Sequence, residues 1–312
     1  MMQRLHESTV QGDEIDSLGH MNVRYYMARM EQANRVLIEQ LGLSPQTRSA
    51  TLLRRTDTYT RFRQEQFEGA PLHVYGGVLS VGEGGMQSYV EIRNPELDQV
   101  AATFIVTTAL VDQATREPLP FHAAQQTDHS QWVEVPDYAT PRSLSLGAPT
   151  TDISLAQLQA CIPEIEGGGM MSGRREAEIE TQDVDADGFL RQDVELMFLP
   201  FTRLAQQDLA TQGPPVFIGE QGQRVGWAVM ESRNMVFGQP RLGDVIAYFS
   251  ADLRLEAKSR LSRRWAFNRD TDALLGMSDT VGLCVDLDAR KAVEWPANLR
   301  ADIEKNLQPQ LL

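Results

Sequence analysis

Lysine and cysteine are scarce in this chain, and no long apolar run occurs. Lys258, Lys291 and Lys305 are the only lysines among 29 basic residues, so nearly all positive charge is arginine. Cys161 and Cys284 are too few and too far apart for a disulfide framework or a metal cluster. The five histidines are scattered, and no metal or other cofactor is expected. No stretch approaches the ~18 apolar residues that a membrane span needs. The start, "MMQRLHESTVQGDEID", lacks the apolar segment of a signal peptide. These absences give the expectation of a soluble, cytoplasmic protein with no membrane partner. A Gly-x-Ser-x-Gly nucleophile elbow is missing, which counts against an α/β-hydrolase. No phosphate-binding loop is visible.

What is present is ordinary globular composition, 42% hydrophobic and 23% charged over 312 residues. The net charge of −14 repels nucleic acid, whose binding rests on phosphate neutralisation. An anionic ligand would need a local arginine cluster. "LLRRTDTYTRFR" supplies Arg54, Arg55, Arg61 and Arg63, readable as a solvated strand face or as such a site.

Residues 4–12 read as a short strand. From Val23 onward Tyr26, Met27, Met30, Ala33, Leu37, Ile38 and Leu41 recur at spacings of three and four, which predicts a helix over about 22–41, stopped by Gly42. Strand-like runs follow at roughly 51–67, 71–82, 86–94 and 99–112, separated by "EGAP", "GEGG" and "NPELD". One long helix against one antiparallel sheet is a small α+β unit. The polar, proline-bearing stretch 123–150 reads as a linker. "ISLAQLQACIPEIEGGG" reads as a short helix or as more of that linker.

The second half echoes the first. "QDVDADGFLRQDVELMFL" lies over "DEIDSLGHMNVRYYMARM", with Asp185 on Asp16 and Gly188 on Gly19. "LCVDLDARKAVEWP" lies over "ALVDQATREPLPF", with Asp286 on Asp112 and Arg290 on Arg116. Two copies of one unit explain the constant order; chance likeness of short acidic turns is the alternative. The expected division is 1–125 for the first unit, 126–174 for a linker and 175–312 for the second. In the second copy Phe189 replaces His20 and Arg191 replaces Asn22, while Pro200 must kink its helix or restart it.

Asp16, Gly19, His20, Met21 and Asn22, followed by Tyr26, Glu31 and Ala33, resemble the 4-hydroxybenzoyl-CoA thioesterase-like branch of the hotdog-fold thioesterases. "FRQEQFEGAPLHV" is similar to the Arg-x-Glu…Gly-Asp strand pair of that family, with Ala70 where Asp is usual. The resemblance covers most of residues 4–120 and is faint over 175–300. It implies a double hotdog, each unit an antiparallel sheet wrapped around one long helix, the second unit degenerate. It also implies hydrolysis of an acyl-CoA to free acid and CoA. Homo-oligomers of such chains are compatible with it.

The motif also makes chemical sense. A thioester hydrolase needs a group that activates water or attacks the carbonyl, and donors for the developing oxyanion. The first turn of a helix has free backbone N–H groups and the positive end of the dipole. Val23 and Arg24 lie there and read as substrate-binding residues, with the Val23 N–H a candidate donor to the thioester oxygen. Asp16 is the candidate general base or nucleophile; alone it reads as a turn residue. His20 is a weaker candidate base that braces the turn or the substrate. Asn22 is a catalytic hydrogen-bonding candidate or a helix cap. Tyr26 reads as substrate contact or core, and Glu65 as a second carboxylate of the site or a surface strand residue. Two other activities fit the same residues. One is a hydratase or dehydratase on acyl thioesters, for which His20 with Asp16 is the available acid–base pair. The other is acyl-CoA binding without turnover.

Overall fold

The computed structural model describes residues 2–16, 18–41, 51–120, 132–164, 173–192, 194–200 and 216–312. By its contacts the chain divides into two units, Met1–Arg142 and Ser143–Leu312.

In the first unit, β1 (Gln3–Thr9) leads through a 3-10 turn at Gly12–Glu14 into α1 (Val23–Gln40). The strands β2 (Thr51–Phe62), β3 (Pro71–Gly82), β4 (Gly85–Asn94) and β5 (Gln99–Asp112) follow, with a two-residue β6 (Pro118–Leu119) on β5. The sheet order is β1-β3-β4-β5-β2, antiparallel throughout. α1 forms where the sequence predicts it. Tyr26, Met30, Ala33 and Leu37 make one buried stripe, and the Asn22 side chain caps the first turn. That stripe packs on Leu72, Val74, Val90 and Phe104 of the sheet. Each large side chain so buried stabilises the unit by ~1.5–3 kcal/mol.

β2 is shorter than expected. The Arg63 and Gln64 N–H groups both turn onto the Ala101 carbonyl (2.9 and 3.2 Å), which breaks the ladder. Residues 63–70 are therefore a loop, and Glu65 stands on it rather than on a strand.

The described part of the stretch expected as a linker is bound to the structure. The Val133 N–H donates to the Val78 carbonyl at 2.8 Å, and Trp132 bridges β3 in parallel. Tyr138 donates its hydroxyl to Glu91 (2.8 Å), while Arg61 and Arg63 both donate to the Tyr138 carbonyl (2.8 Å each). These two arginines thus hold the chain down.

The second unit contains α2 (Leu155–Cys161), capped by Ser154 and Gln157, then β7 (Gly173–Glu178) and β8 (Phe217–Ile218). Next come β9 (Arg224–Val236), β10 (Val245–Leu255), β11 (Ser259–Asn268), β12 (Leu274–Asp286), β13 (Lys291–Ala292) and α3 (Ala297–Lys305). Its antiparallel order, β7-β10-β11-β12-β9, repeats that of the first unit strand for strand. The turns repeat as well. Asp112 and Asp286 each accept two backbone N–H bonds through Oδ1, and Arg116 and Arg290 both have positive φ, 63° and 52°. Even the tails match. Leu307 bridges Asp252 in parallel as Trp132 bridges Val78, and the Gln308 N–H donates to the Asp252 carbonyl at 2.8 Å. Of the second helix expected over 191–209, residues 201–209 lie outside the described residues, and its described part holds a 3-10 turn at Leu196–Phe198. There Leu196, Met197 and Leu199 pack on Ile246, Tyr248, Ala266 and Leu275.

Candidate functional site

The turn ahead of α1 is a tight hairpin. Ile15 bridges Met21, the Asp16 N–H donates to the His20 carbonyl (3.0 Å), and the Gly19 N–H donates back to the Asp16 carbonyl (2.9 Å). Gly19 has φ +81°, a conformation glycine adopts without a Cβ penalty. The hairpin thereby places Asp16 and His20 at its two ends, side by side.

Asp16 is held from two directions. Its Oδ1 accepts the Leu18 N–H at 2.9 Å, and its Oδ2 accepts from Asn22 Nδ2 at 3.3 Å. His20 lies between two carboxylates, with Nδ1 3.9 Å from Asp16 Oδ1 and Nε2 3.6 Å from Glu65 Oε1. The side chains of Asp16 and His20 are 10% and 17% exposed, that of Glu65 39%, so the cluster opens to solvent on the Glu65 side. The Asn22 side chain does two jobs. Its Nδ2 reaches Asp16, and its Oδ1 caps α1 by accepting the Arg24 N–H at 3.1 Å. The Asn22 carbonyl takes the Tyr25 N–H (3.0 Å). Val23 is exposed at the very start of the helix, beside this cluster.

Two expected ligand contacts have other partners. The Arg24 guanidinium lies over the Tyr25 ring (4.6 Å) and donates to its hydroxyl (2.6 Å). Tyr26 is buried, and its hydroxyl donates to the Gln64 carbonyl at 3.1 Å. Burial pushes the Tyr26 phenol well above its ordinary pKa, so it stays a neutral donor that ties α1 to the loop carrying Glu65. Gln66, on the same loop, was not legible as a site residue. Its carbonyl accepts the Met21 N–H (2.7 Å) and its Oε1 accepts from Asn94 Nδ2 (2.9 Å), which locks the loop beside the hairpin.

The second unit keeps the hairpin and loses the cluster. Val184 bridges Leu190, the Asp185 N–H donates to the Phe189 carbonyl (2.8 Å), and Gly188 has φ +80°. Asp185 Oδ1 accepts the N–H groups of Asp187 and Phe189. Phe189 occupies the histidine position under the Arg241 guanidinium, 4.4 Å from the ring centre. The Leu190 N–H donates to the Pro240 carbonyl as Met21 does to Gln66, which puts Gln239 at the position of Glu65. Among the described residues no group of His, Cys, Asp and Glu could hold a metal ion, and no helix is long and apolar enough to cross a membrane.

Residues 10–129 match the thioesterase-like superfamily. That segment contains the whole cluster, from Asp16 to Glu65. The chain also resembles solved thioesterases over most of its length. One is the 12:0-ACP thioesterase of Umbellularia californica, 10% identical, with a TM-score of 0.63 over 91% of this chain and 94% of that one. Another is an acyl-ACP thioesterase of Bacteroides thetaiotaomicron, 7% identical, with a TM-score of 0.59 over 89% and 96%. At these identities the likeness is one of fold, the hotdog fold of thioesterases. No curated protein matches the chain.

Proposed function

We propose that the protein hydrolyses an acyl thioester, with acyl-CoA as substrate, at the hairpin ahead of α1. The observation that carries this reading is the convergence of Asp16, His20, Asn22 and Glu65 on the N-terminus of a long buried helix. The thioester carbonyl would lie against the Val23 N–H, where the helix dipole favours negative charge. As general base Asp16 takes a proton from water as that water adds to the carbonyl. As nucleophile it adds itself, giving an anhydride that water then opens. In either route the tetrahedral intermediate expels the CoA thiolate, which takes up the proton. Water addition and C–S cleavage leave a free acid and CoA. Asn22 orients the Asp16 carboxylate. His20 and Glu65 complete the polar wall, and Arg24 and Tyr26 frame the helix start. The duplicated sheet order supports a double hotdog. In that reading the second copy is a structural partner, because Phe189, Arg191 and Gln239 stand where the first has His20, Asn22 and Glu65.

The His20–Asp16 approach also suits a hydratase, so the test must separate the two. Acetyl-, octanoyl-, palmitoyl- and benzoyl-CoA, and a palmitoyl thioester on acyl carrier protein, would be assayed for thiol release. Crotonyl-CoA would be assayed for hydration in parallel. Thiol release from at least one CoA ester, absent in Asp16→Asn, is the expected result. Hydration without thiol release would replace hydrolysis by the hydratase reading. Tight binding without turnover would make the protein an acyl-CoA carrier.

A further inference from the structure

α1 carries a charge where its pattern calls for an apolar residue. Arg29 lies within the buried stripe of Tyr26, Met30 and Ala33, and its side chain is only 7% exposed. All five of its N–H donors are used. Nε donates to Ser8 Oγ (2.8 Å); Nη1 to Glu14 Oε1 (3.0 Å) and the Tyr25 carbonyl (3.3 Å); Nη2 to Glu14 Oε2 (2.7 Å) and the Thr9 carbonyl (3.3 Å). Glu14 is equally committed. Besides gripping Arg29 with both oxygens, it accepts the Gln11 N–H (3.0 Å), and its carbonyl accepts the Asn22 N–H (2.9 Å). Glu14 therefore connects the end of β1, the hairpin bearing Asp16, and the residue that both caps α1 and holds the Asp16 carboxylate.

We propose that the buried Glu14–Arg29 ion pair is a positioning device, which holds the Asp16 hairpin against the N-terminus of α1 and on which hydrolysis depends. The proposal rests on the reading of Asp16 as the reacting carboxylate. A buried ion pair is a poor source of stability, since removing two charges from water offsets most of their attraction. Its use here is geometric: a planar five-donor fork ties β1, the Gly12–Glu14 turn and α1 together at once, which an apolar contact cannot do. The second unit supports this. At the same offset of 169 residues it has Asp183 for Glu14 and Phe198 for Arg29; the bond from the Glu180 N–H to Asp183 repeats that from Gln11 to Glu14, but the guanidinium has no counterpart at that position. The copy that lacks the polar cluster also lacks the clamp.

The test separates placement from stability. Arg29→Lys keeps the charge but not the fork, and should lower kcat at least tenfold with KM changed less than twofold on the best CoA ester of the panel. The double variant Glu14→Met/Arg29→Leu replaces the pair by apolar volume. It should melt near the wild-type temperature and still show the low kcat, with faster amide hydrogen exchange at Leu18, Gly19, Met21 and Asn22. A folded double variant with kcat within twofold of wild type would overturn the proposal. If the wild type releases thiol from none of the esters, the hydrolase reading falls, and amide exchange alone judges the clamp. Faster exchange confined to the hairpin supports it; unchanged exchange overturns it.

Discussion

Asp16→Asn tests the chemistry with the least disturbance of shape. Asn keeps an Oδ1 that can accept the Leu18 N–H, so the hairpin's internal bond survives. What is lost is the negative charge and the acceptor facing Asn22 Nδ2, where two amide donors would then meet. That bond is long at 3.3 Å and only part-buried, so its loss costs about 1 kcal/mol, a shift of a few degrees in melting temperature. The kinetic cost is far larger. Removing a general base lowers the rate by ~10²–10⁴, about 3–5 kcal/mol of barrier, and loss of a nucleophile is at least as severe. Asp185→Asn is the internal control. Its two backbone bonds both end on Oδ1 and both persist in Asn, and Phe189 takes the place of the histidine. That variant should keep nearly full activity and stability. Thiol release on the best CoA ester and thermal unfolding of both variants decide the matter. Equal kinetic losses would make Asp a structural turn residue in both units. A dead Asp185 variant beside a live Asp16 variant would put the reaction in the other copy.

The remaining predictions concern the frame around the site. Burial pushes the Cys284 thiol up to about 11, so the native protein at pH 8 should offer one reactive thiol, Cys161, to a chromogenic disulfide reagent, and two after denaturation. Because the folded state holds the Cys284 proton more tightly, its contribution to stability is present below pH 9 and lost between pH 9 and about 11; a melting temperature flat across that window in wild type but not in Cys284→Ser would contradict the assignment. Tyr138→Phe removes a 2.8 Å bond to the buried Glu91 carboxylate and should lower stability by about 1.5–3 kcal/mol in urea unfolding. Gly85→Ala should cost about 2–4 kcal/mol, since its Cβ would lie 2.3 Å from the Thr108 carbonyl oxygen at φ +139°, and a wild-type melting temperature would refute that geometry.

Periodicity and turn chemistry made much of the local structure legible in the sequence. The three-four spacing from Tyr26 to Leu37 marked α1, and the β-branched run Val100–Asp112 marked β5, because a side chain's facing follows directly from its place in a regular element. The echo of Asp16 and Gly19 in Asp185 and Gly188 marked the repeat, because a hairpin that needs positive φ accepts few residues at that point. Other features depended on contacts between residues far apart in sequence. Nothing local told Glu65 that it would leave the strand; the Ala101 carbonyl did, by drawing in the Arg63 and Gln64 N–H groups. Arg61 and Arg63 read as a possible anion site, and only the Tyr138 carbonyl, 77 and 75 residues downstream, showed what they bind. Arg29 gave no signal among the apolar positions of α1; its burial and its role depended on Glu14 and Ser8 arriving from the other side of the hairpin. Composition and period determine which segments become helix and strand; which buried polar groups meet is decided by the packing of those segments, because each buried donor must find its acceptor wherever the fold has placed one.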